Sequence, residues 1–391
     1  VTIVGGGLAG SLAAAMLGRA GVDAVLVDPH EVYPPDFRCE KLDGVQVAIL
    51  RKTGLADEVL RAATPDRECW VARFGRLLDK RPGDQYGIFY APLVNTVRSL
   101  VPPCVPMIAA KATAIATAGE RQTVALSNGE TISARLVVLA NGLNMALRKS
   151  LGLTCKVLSE CHSVSIGFDI KPIGGRAFEF PALTYYAEHV TDETALITLF
   201  PIGAAMRANL FVYRTMQDPW LKAMRDRPEQ TLRSLMPGLR TLTGDFEVAS
   251  EVQIRPVDLY ATGGVRRAGL VLVGDAFATS CPAAGTGARK AINDIERLCN
   301  VHIPRWLATP GMDASKIAGF YDDRVKRACD EASFAKAFDL RAFSLDPSWW
   351  WQTKRRVKFL GQYAVGALRR LHRKFIAPPH DRQGIPAVSR T

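Results

Sequence analysis

The chain has no C-x-x-C pair and no cysteine-histidine cluster at zinc spacing, although it carries eight cysteines, at 39, 69, 104, 155, 161, 281, 299 and 329. Cys161-His162 comes nearest to a metal motif, but neighbours on a strand point to opposite faces. The cysteines are therefore expected as reduced structural thiols, with no metal. No apolar run approaches the roughly 20 residues needed to span a bilayer, which excludes a crossing helix. Acids are missing between Pro347 and His380, where eight Lys or Arg fall. The net charge is +12, so the rest of the chain carries only 12 − 8 = +4. No nucleic-acid-reading motif accompanies the basic segment, and nucleic acid is not an expected partner.

What is present begins at the first residue. Val1 to Val4 is a short apolar strand, Gly5-Gly6-Gly7-Leu8-Ala9-Gly10 follows as G-x-G-x-x-G, and a helical run covers Ser11 to Ala20. A second strand, Ala24 to Val27, ends in Asp28. Gly5 serves the tight turn, Gly7 lets backbone approach a pyrophosphate, Gly10 permits close helix-to-strand packing, and Asp28 is placed for a ribose hydroxyl. The pyrophosphate would rest on the helix N-terminus, where free N–H groups favour negative charge. Strand, glycines, helix, strand and acid occur in order, which specifies a dinucleotide binder.

With 391 residues, 48% hydrophobic and 23% charged, the chain suits two domains or one nucleotide-binding domain with an insertion. Val1 already lies in the strand, so a few residues are expected to precede it, and a strand of this kind at the N-terminus argues for a cytoplasmic protein. Beyond a Pro-rich loop at 29–35, Arg38 and Glu40 stand either as a surface ion pair or with the arginine lining the cofactor site. Val45 to Leu60 reads as a helix broken at Gly54, with Val45, Ile49 and Leu50 on one face. Residues 69–92 read as strands with a Pro-Gly-Asp turn, and Leu93 to Leu100 as a helix with Arg98 facing out. The turn at 127–130 marks a hairpin. Leu136 to Ala140 is a buried strand ending in Asn141-Gly142, where open α/β sheets place ligand contacts. Residues 155–260 alternate in short β-runs, with one helical stretch near 218–236.

A second signal spans Leu270 to Leu298. A buried strand delivers Gly274-Asp275, a loop of small residues follows, and Gly285-Thr286-Gly287 opens a helix. A carboxylate beside a bound polyol and a helix N-terminus aimed at a ring that becomes anionic are the implied geometry.

Together, GGGLAG with Asp28, Phe37-Arg38, Ala140-Asn141-Gly142 and Gly274-Asp275-Ala276 before Pro282-Ala-Ala-Gly-Thr-Gly resemble the FAD-dependent monooxygenases related to para-hydroxybenzoate hydroxylase. The wider group includes geranylgeranyl reductases and flavin-dependent halogenases. The resemblance covers roughly residues 1–300. It implies an α/β fold: a Rossmann-type FAD-binding domain (1–154 and 263–300, with some substrate-domain strands near 69–92), an inserted sheet-rich substrate domain (155–262) and a helical C-terminal region (301–391). It also implies that Gly5, Gly7, Leu8, Ala9 and Gly10 cradle the FAD pyrophosphate, that Asp28 takes the ribose, and that Arg38 and Arg98 lie near the cofactor. Asp275 would hold the ribityl chain, while Pro282, Gly285, Thr286 and Gly287 line the isoalloxazine. The implied activity is insertion of one oxygen atom, through a flavin C4a-hydroperoxide, into a small organic, lipophilic substrate. A reductase of the geranylgeranyl type is the alternative. A halogenase fits less well, because Trp349-Trp350-Trp351 is followed by Gln-Thr-Lys and not by the W-x-W-x-I-P signature. A flavin-binding or membrane-docking component without turnover is the reading from another class.

Family hydroxylases carry Asp-Gly where this chain has Asn141-Gly142, so NAD(P)H and a partner reductase both stay open as electron source. No catalytic acid or base stands out; His162, Tyr185, Tyr186 and His189 fall in the substrate half. Near the end, Val357, Leu360, Ala364, Leu368, Leu371 and Phe375 recur at helical spacing among Lys354, Arg355, Arg356, Lys358, Arg369, Arg370, Arg373 and Lys374, after Trp349, Trp350 and Trp351. Residues 349–376 thus fit either peripheral contact with an acidic membrane face or a helix packed on the catalytic body with its basic face solvated.

Overall fold

The computed structural model describes residues 1–174 and 177–376, with side chains through 372. Strand β1 (Thr2–Val4), helix α1 (Leu8–Arg19) and strand β2 (Val25–Asp28) form the first unit. Helix α1 starts at Leu8, three residues before the expected Ser11, because Gly10 tolerates a crossing so close that a Cβ there would stand 1.8 Å from the Gly5 carbonyl oxygen. Helix α2 (Gly44–Lys52) opens on a capping box between Asp43 and Gln46, and a second helix, Ala56–Arg61, follows the break at Gly54. Its buried face is Gln46, Val47 and Leu50, whereas Val45 is 51% exposed. The cap fixes the start of the helix and thereby rotates the expected stripe.

Strands β3 (Glu68–Arg73) and β4 (Arg76–Pro82) reverse at Phe74-Gly75, both with positive φ, so the Pro-Gly-Asp turn follows this hairpin and does not close it. Next come helix α3 (Tyr90–Ser99) and strands β5 (Met107–Ala109) and β6 (Val137–Leu139). Arg98 on α3 is buried, not outward as expected. Helix α4 (Ala146–Ser150) leads into β7 (Thr154–Pro172), β8 (Ala182–Tyr186), β9 (Thr194–Ile202) and β10 (Ala205–Val212). After two short helices, Pro219–Asp226 and Pro228–Leu235, come β11 (Phe246–Val248), β12 (Gln253–Gly263) and β13 (Leu270–Leu272). Helices α5 (Gly287–Arg297), α6 (Arg324–Leu345) and α7 (Trp349–Ile376) complete the described chain.

A five-stranded parallel sheet has the order β13-β6-β1-β2-β5. Strands β1, β6 and β13 are buried along their whole length because helices and the hairpin layer Ala112–Ala134 cover both faces, whereas the edge strand β5 is largely exposed. The larger sheet runs β11-β7-β10-β9-β8-β3-β4, with β12 also paired to β7. All its neighbours are antiparallel except β8 and β3. It has a separate core, with Phe168, Leu183, Tyr185 and Leu210 packed under the two Pro-started helices. The cleft between the two sheets holds the site.

Helix α7 lies on β4. Gly366 comes so close that a Cβ would meet the Leu78 carbonyl at 2.0 Å, and Arg369 donates to Asp79 at 2.8 Å. The body contacts a face made of Arg355, Phe359 and Gly366, while Val357, Leu360, Ala364, Leu368 and Leu371 are exposed. This corrects the expectation of a helix packed through its apolar stripe: the stripe faces outward, and Arg355 is the basic side chain that the body buries, while Lys354, Arg356 and Arg369 stay exposed. Phe375, Arg373 and Lys374 lie outside the described side chains.

Candidate functional site

A cavity of about 870 Å³ extends from the glycine loop to the face of the larger sheet. At one end, Gly5 has φ +102°, donates to Val27 O at 2.8 Å and leaves no room for a Cβ against Ala140. Gly6 N donates to Asp28 Oδ2 at 2.6 Å, and His30 N donates to Oδ1 at 3.0 Å. Arg98 grips the same loop from behind: Nε donates to Gly6 O at 3.0 Å, and Nη2 lies 3.1 Å from Asp28 Oδ1. Tyr90 Oη accepts from Leu8 N at 3.2 Å, which orients the first turn of α1. Burial raises Tyr90 far above the ordinary tyrosine range and pushes Tyr33 up to about 12, so both phenols are neutral at the cavity wall.

At the other end, β13 delivers Gly274, with φ +57°, and Asp275. Gly274 N donates to Asp294 Oδ2 at 2.9 Å, and Asp294 is ion-paired with Lys326 from α6 at 2.9 Å, both side chains being buried. Asp275 faces the cavity and accepts from Arg38 Nη1 at 3.1 Å. Arg38 is held by Asp36, which Arg255 of β12 also binds at 2.6 Å. Burial works against the Arg38 charge, yet the Asp36 and Asp275 carboxylates hold its pKa above the ordinary value. Asp36 is correspondingly lowered: burial opposes the shift and the two guanidinium groups outweigh it. Gly285, left-handed at φ +67°, accepts from Gln46 Nε2 at 2.9 Å, which sets the start of α5.

The third wall is the larger sheet. Gly167, Asn209, Thr198 and Thr184 are successive cross-strand partners on β7, β10, β9 and β8, and Ser165, Phe211 and Leu196 form the next row. Ser165, Thr184, Leu196, Thr198, Asn209 and Phe211 all line the cavity. Ser165 Oγ and Asn209 Oδ1 are buried without a hydrogen-bond partner, which marks them as groups a bound molecule can satisfy. Below them Glu40 and Arg207 make a buried two-pronged pair at 2.8 and 2.9 Å. Burial raises the Glu40 pKa even against that guanidinium. Arg38 and Glu40 therefore do not pair with each other: Arg38 is held by Asp36 in its own loop and by Asp275, and Glu40 by Arg207 of β10.

Of the expected cofactor residues, Gly5, Gly7, Leu8, Ala9, Asp28, Arg38, Asp275, Pro282, Gly285 and Gly287 line the cavity. Gly10, Arg98 and Thr286 do not. Gly10 is spent on the helix crossing, Arg98 stands behind the loop, and Thr286 Oγ1 bonds Ser333 Oγ at 2.6 Å. His162, Tyr185, Tyr186 and His189 are also away from the cavity. Strand alternation turns Tyr185 to the far core, where its hydroxyl bonds Glu188, and Tyr186 is covered by Phe359 of α7. His162 packs on Phe338, and His189 on Phe74.

No motif or period in the sequence singles out Arg148. Fully buried, it donates to Gly142 O at 3.1 Å and Asn144 O at 3.2 Å after β6, and to Ala276 O at 3.1 Å after β13. It clamps two cavity loops together. Asn141 lines the cavity with Nδ2 bonded to Asn144 O at 3.0 Å and Oδ1 unpartnered.

A family model described as an FAD binding domain matches residues 1–75 and 109–301. The 3-amino-4-hydroxybenzoate 2-monooxygenase PtnB3 of Streptomyces platensis is 24% identical over 311 residues, 75% of this chain and 77% of that protein. The crystal structure of p-nitrophenol 4-monooxygenase PnpA from Pseudomonas putida DLL-E4 superposes with a TM-score of 0.74 at 17% identity, covering 96% of this chain and 95% of that one. A ternary complex of aklavinone-11 hydroxylase with FAD and aklavinone gives 0.69 at 20% identity, over 88% and 69%.

Proposed function

The chain belongs to the FAD binding domain family and is an FAD-dependent oxidoreductase, and from that premise we propose that it is a monooxygenase acting on a small, largely apolar ring compound that carries one or two hydrogen-bonding groups. The observation that carries this reading is one continuous cavity with two kinds of wall. Its glycine-loop end suits a dinucleotide, and its sheet end offers Leu196, Phe211 and Val257 with Ser165, Thr198 and Asn209 interspersed.

FAD fits the residues present. A Cβ on Gly7 would find nothing nearer than the Tyr90 hydroxyl at 3.5 Å, so the space beside this backbone is open for a pyrophosphate. Leu8 and Ala9 present the helix N-terminus to it, Asp28 the ribose acceptor, and Asp275 the acceptor for the ribityl chain. Pro282, Gly285 and Gly287 form the wall for the ring. When bound and reduced, FAD supplies the electrons that divide dioxygen between the product and water. The chain's own residues orient and exclude water: Arg38 fixes Asp275, the Glu40–Arg207 pair closes the floor, and Asn209 and Ser165 receive the polar groups of the substrate. Electrons come from NAD(P)H or a partner reductase, and bleaching of the flavin by NADPH or NADH alone, without air, distinguishes direct reduction from dependence on a second protein.

The test is turnover of a panel of hydroxylated and aminated benzoates and phenols under labelled dioxygen. One labelled atom per product molecule, with no turnover without air, is the expected result. Oxygen-independent saturation of a substrate double bond would replace this reading with that of a reductase.

A further inference from the structure

We propose that helix α7 docks the protein on an anionic membrane surface through the face that points away from the body. Three contacts fix the orientation of the helix. Arg355 donates to Phe343 O at 2.8 Å and Asp346 O at 2.7 Å, Phe359 packs on Tyr186 and Phe343, and Gly366 rests against the backbone at Leu78. At about 100° per residue, Trp350, Val357, Leu360, Ala364, Leu368 and Leu371 fall in one sector opposite Gly366. The helix therefore lies flat on β4 with a straight apolar stripe outward.

The stripe is concentrated, not incidental. Eight of the nineteen large apolar side chains counted as exposed among the described residues lie on this helix, and five of them, Trp350, Val357, Leu360, Leu368 and Leu371, make up the stripe. Scattered exposed apolar residues need no explanation, but a contiguous patch of this kind marks a contact surface.

Charge decides the occupant. Helix α7 has no acidic residue, and exposed Lys354 and Arg356 flank the stripe on its two sides. A second copy would set two basic helices side by side and repel. An anionic bilayer accepts both features, apolar side chains into the acyl boundary and ammonium or guanidinium groups among the headgroups. Trp349 and Trp350, 74% and 58% exposed at the start of the helix, suit the headgroup level. Among the described residues no helix is long and apolar enough to cross a membrane, so the mode of contact is surface docking.

The experiment uses the full chain with FAD bound and follows its flotation with vesicles of phosphatidylcholine, with and without phosphatidylglycerol. Binding at least tenfold stronger to the anionic vesicles at low salt, and lost at high salt, is expected. The doubly substituted Leu360→Glu, Leu368→Glu protein changes only exposed positions and should keep its FAD and its melting temperature while losing vesicle binding tenfold or more. Lys354→Glu with Arg356→Glu should do the same and serves as the second variant. Equal binding to neutral and anionic vesicles, no binding to either, or unchanged binding by both variants overturns the proposal. So does sedimentation showing a dimer that the leucine substitutions dissociate, which would make the stripe a contact between copies. Because the readout is flotation and not turnover, its failure is separate from failure of the monooxygenase reading.

Discussion

Arg38 donates to the Asp275 carboxylate at 3.1 Å across 237 positions of sequence. The contact joins the loop after β2 to the loop after β13, the two segments whose motifs point to the cofactor. It continues through Asp36 to Arg255 on β12, so a chain of alternating charges runs from the parallel sheet to the larger one along the cavity wall. Each charge in it has an opposite neighbour within hydrogen-bond reach, so the network holds the two loops and β12 together.

Asp275→Asn keeps the shape and removes the charge at the proposed ribityl acceptor. A hydrogen bond to a charged group contributes about 1.5–3 kcal/mol, so FAD affinity should fall about ten- to a hundredfold with little change in the melting temperature of the apoprotein. Titration of apoprotein with FAD, followed by flavin fluorescence, gives the number. Wild-type affinity in this variant would remove Asp275 from the cofactor site.

Two glycines in the same motif should respond differently. A side chain on Gly7 enters the cavity, with no protein atom closer than 3.5 Å, whereas one on Gly10 collides with Gly5 O at 1.8 Å. Gly7→Val is expected to fold with an unchanged circular dichroism spectrum and to bind no FAD. Gly10→Ala is expected to lose stability itself, by about 1–3 kcal/mol from overpacking. Stoichiometric FAD on Gly7→Val would contradict the assignment of this loop.

The cofactor half of the site was legible because its signals are local. Strands β1, β2 and β13 are short apolar runs, each closely followed or ended by a glycine or acid that lines the cavity, so GGGLAG, Asp28 and Gly274-Asp275 stand out and the family follows from their order. The rest depends on partners more than a hundred residues away. Glu40 finds Arg207 and Arg148 finds Ala276, and nothing near either arginine in sequence announces the contact. Tyr185 and Tyr186 fall in the substrate half by position, yet both are sheet residues away from the cavity, the first turned to the far core by strand alternation and the second covered by α7. The stripe on α7 was visible as a period. Which face would pack was decided by Gly366 and by the carbonyls that receive Arg355, neither of which the apolar pattern encodes.

Lys358 on α7 should make stability depend on pH. Burial, with Arg81 and Arg73 nearby, lowers its pKa to about 8 from an ordinary 10.5. Between those values the unfolded chain holds a proton that the folded chain has released, so the stability this lysine costs is fully felt below about pH 8 and is relieved as pH rises towards 10.5. Lys358→Met should therefore melt higher than wild type near pH 7, and the difference should shrink as pH rises. A difference constant over this window would show that the ammonium is not strained by burial.

The last prediction concerns Arg148, whose guanidinium is 0% exposed and is surrounded by oxygen acceptors: Gly142 O, Asn144 O, Ala276 O, Thr262 Oγ1 at 3.3 Å and Tyr260 Oη at 3.1 Å. Tyr260 Oη in turn donates to Asp275 O at 3.0 Å. One side chain therefore sets the spacing between the loop at Asn141 and the loop at Asp275, both of which line the cavity. Arg148→Met fills the volume but leaves buried carbonyls without donors, at about 1–3 kcal/mol for each that finds no water, so a total loss of about 3–5 kcal/mol is expected. Arg148→Lys keeps the charge, yet a compact ammonium cannot span acceptors on two loops as a planar fork does, so it should restore stability only partly and cofactor affinity less. Excess FAD should recover part of the melting temperature in both variants, because a ligand at a hundredfold its Kd adds about 2.7 kcal/mol. Melting curves of apo and FAD-loaded protein, with FAD titrations of each variant, test the clamp. If Arg148→Met melts with wild type and binds FAD as tightly, the spacing of the two loops is set elsewhere.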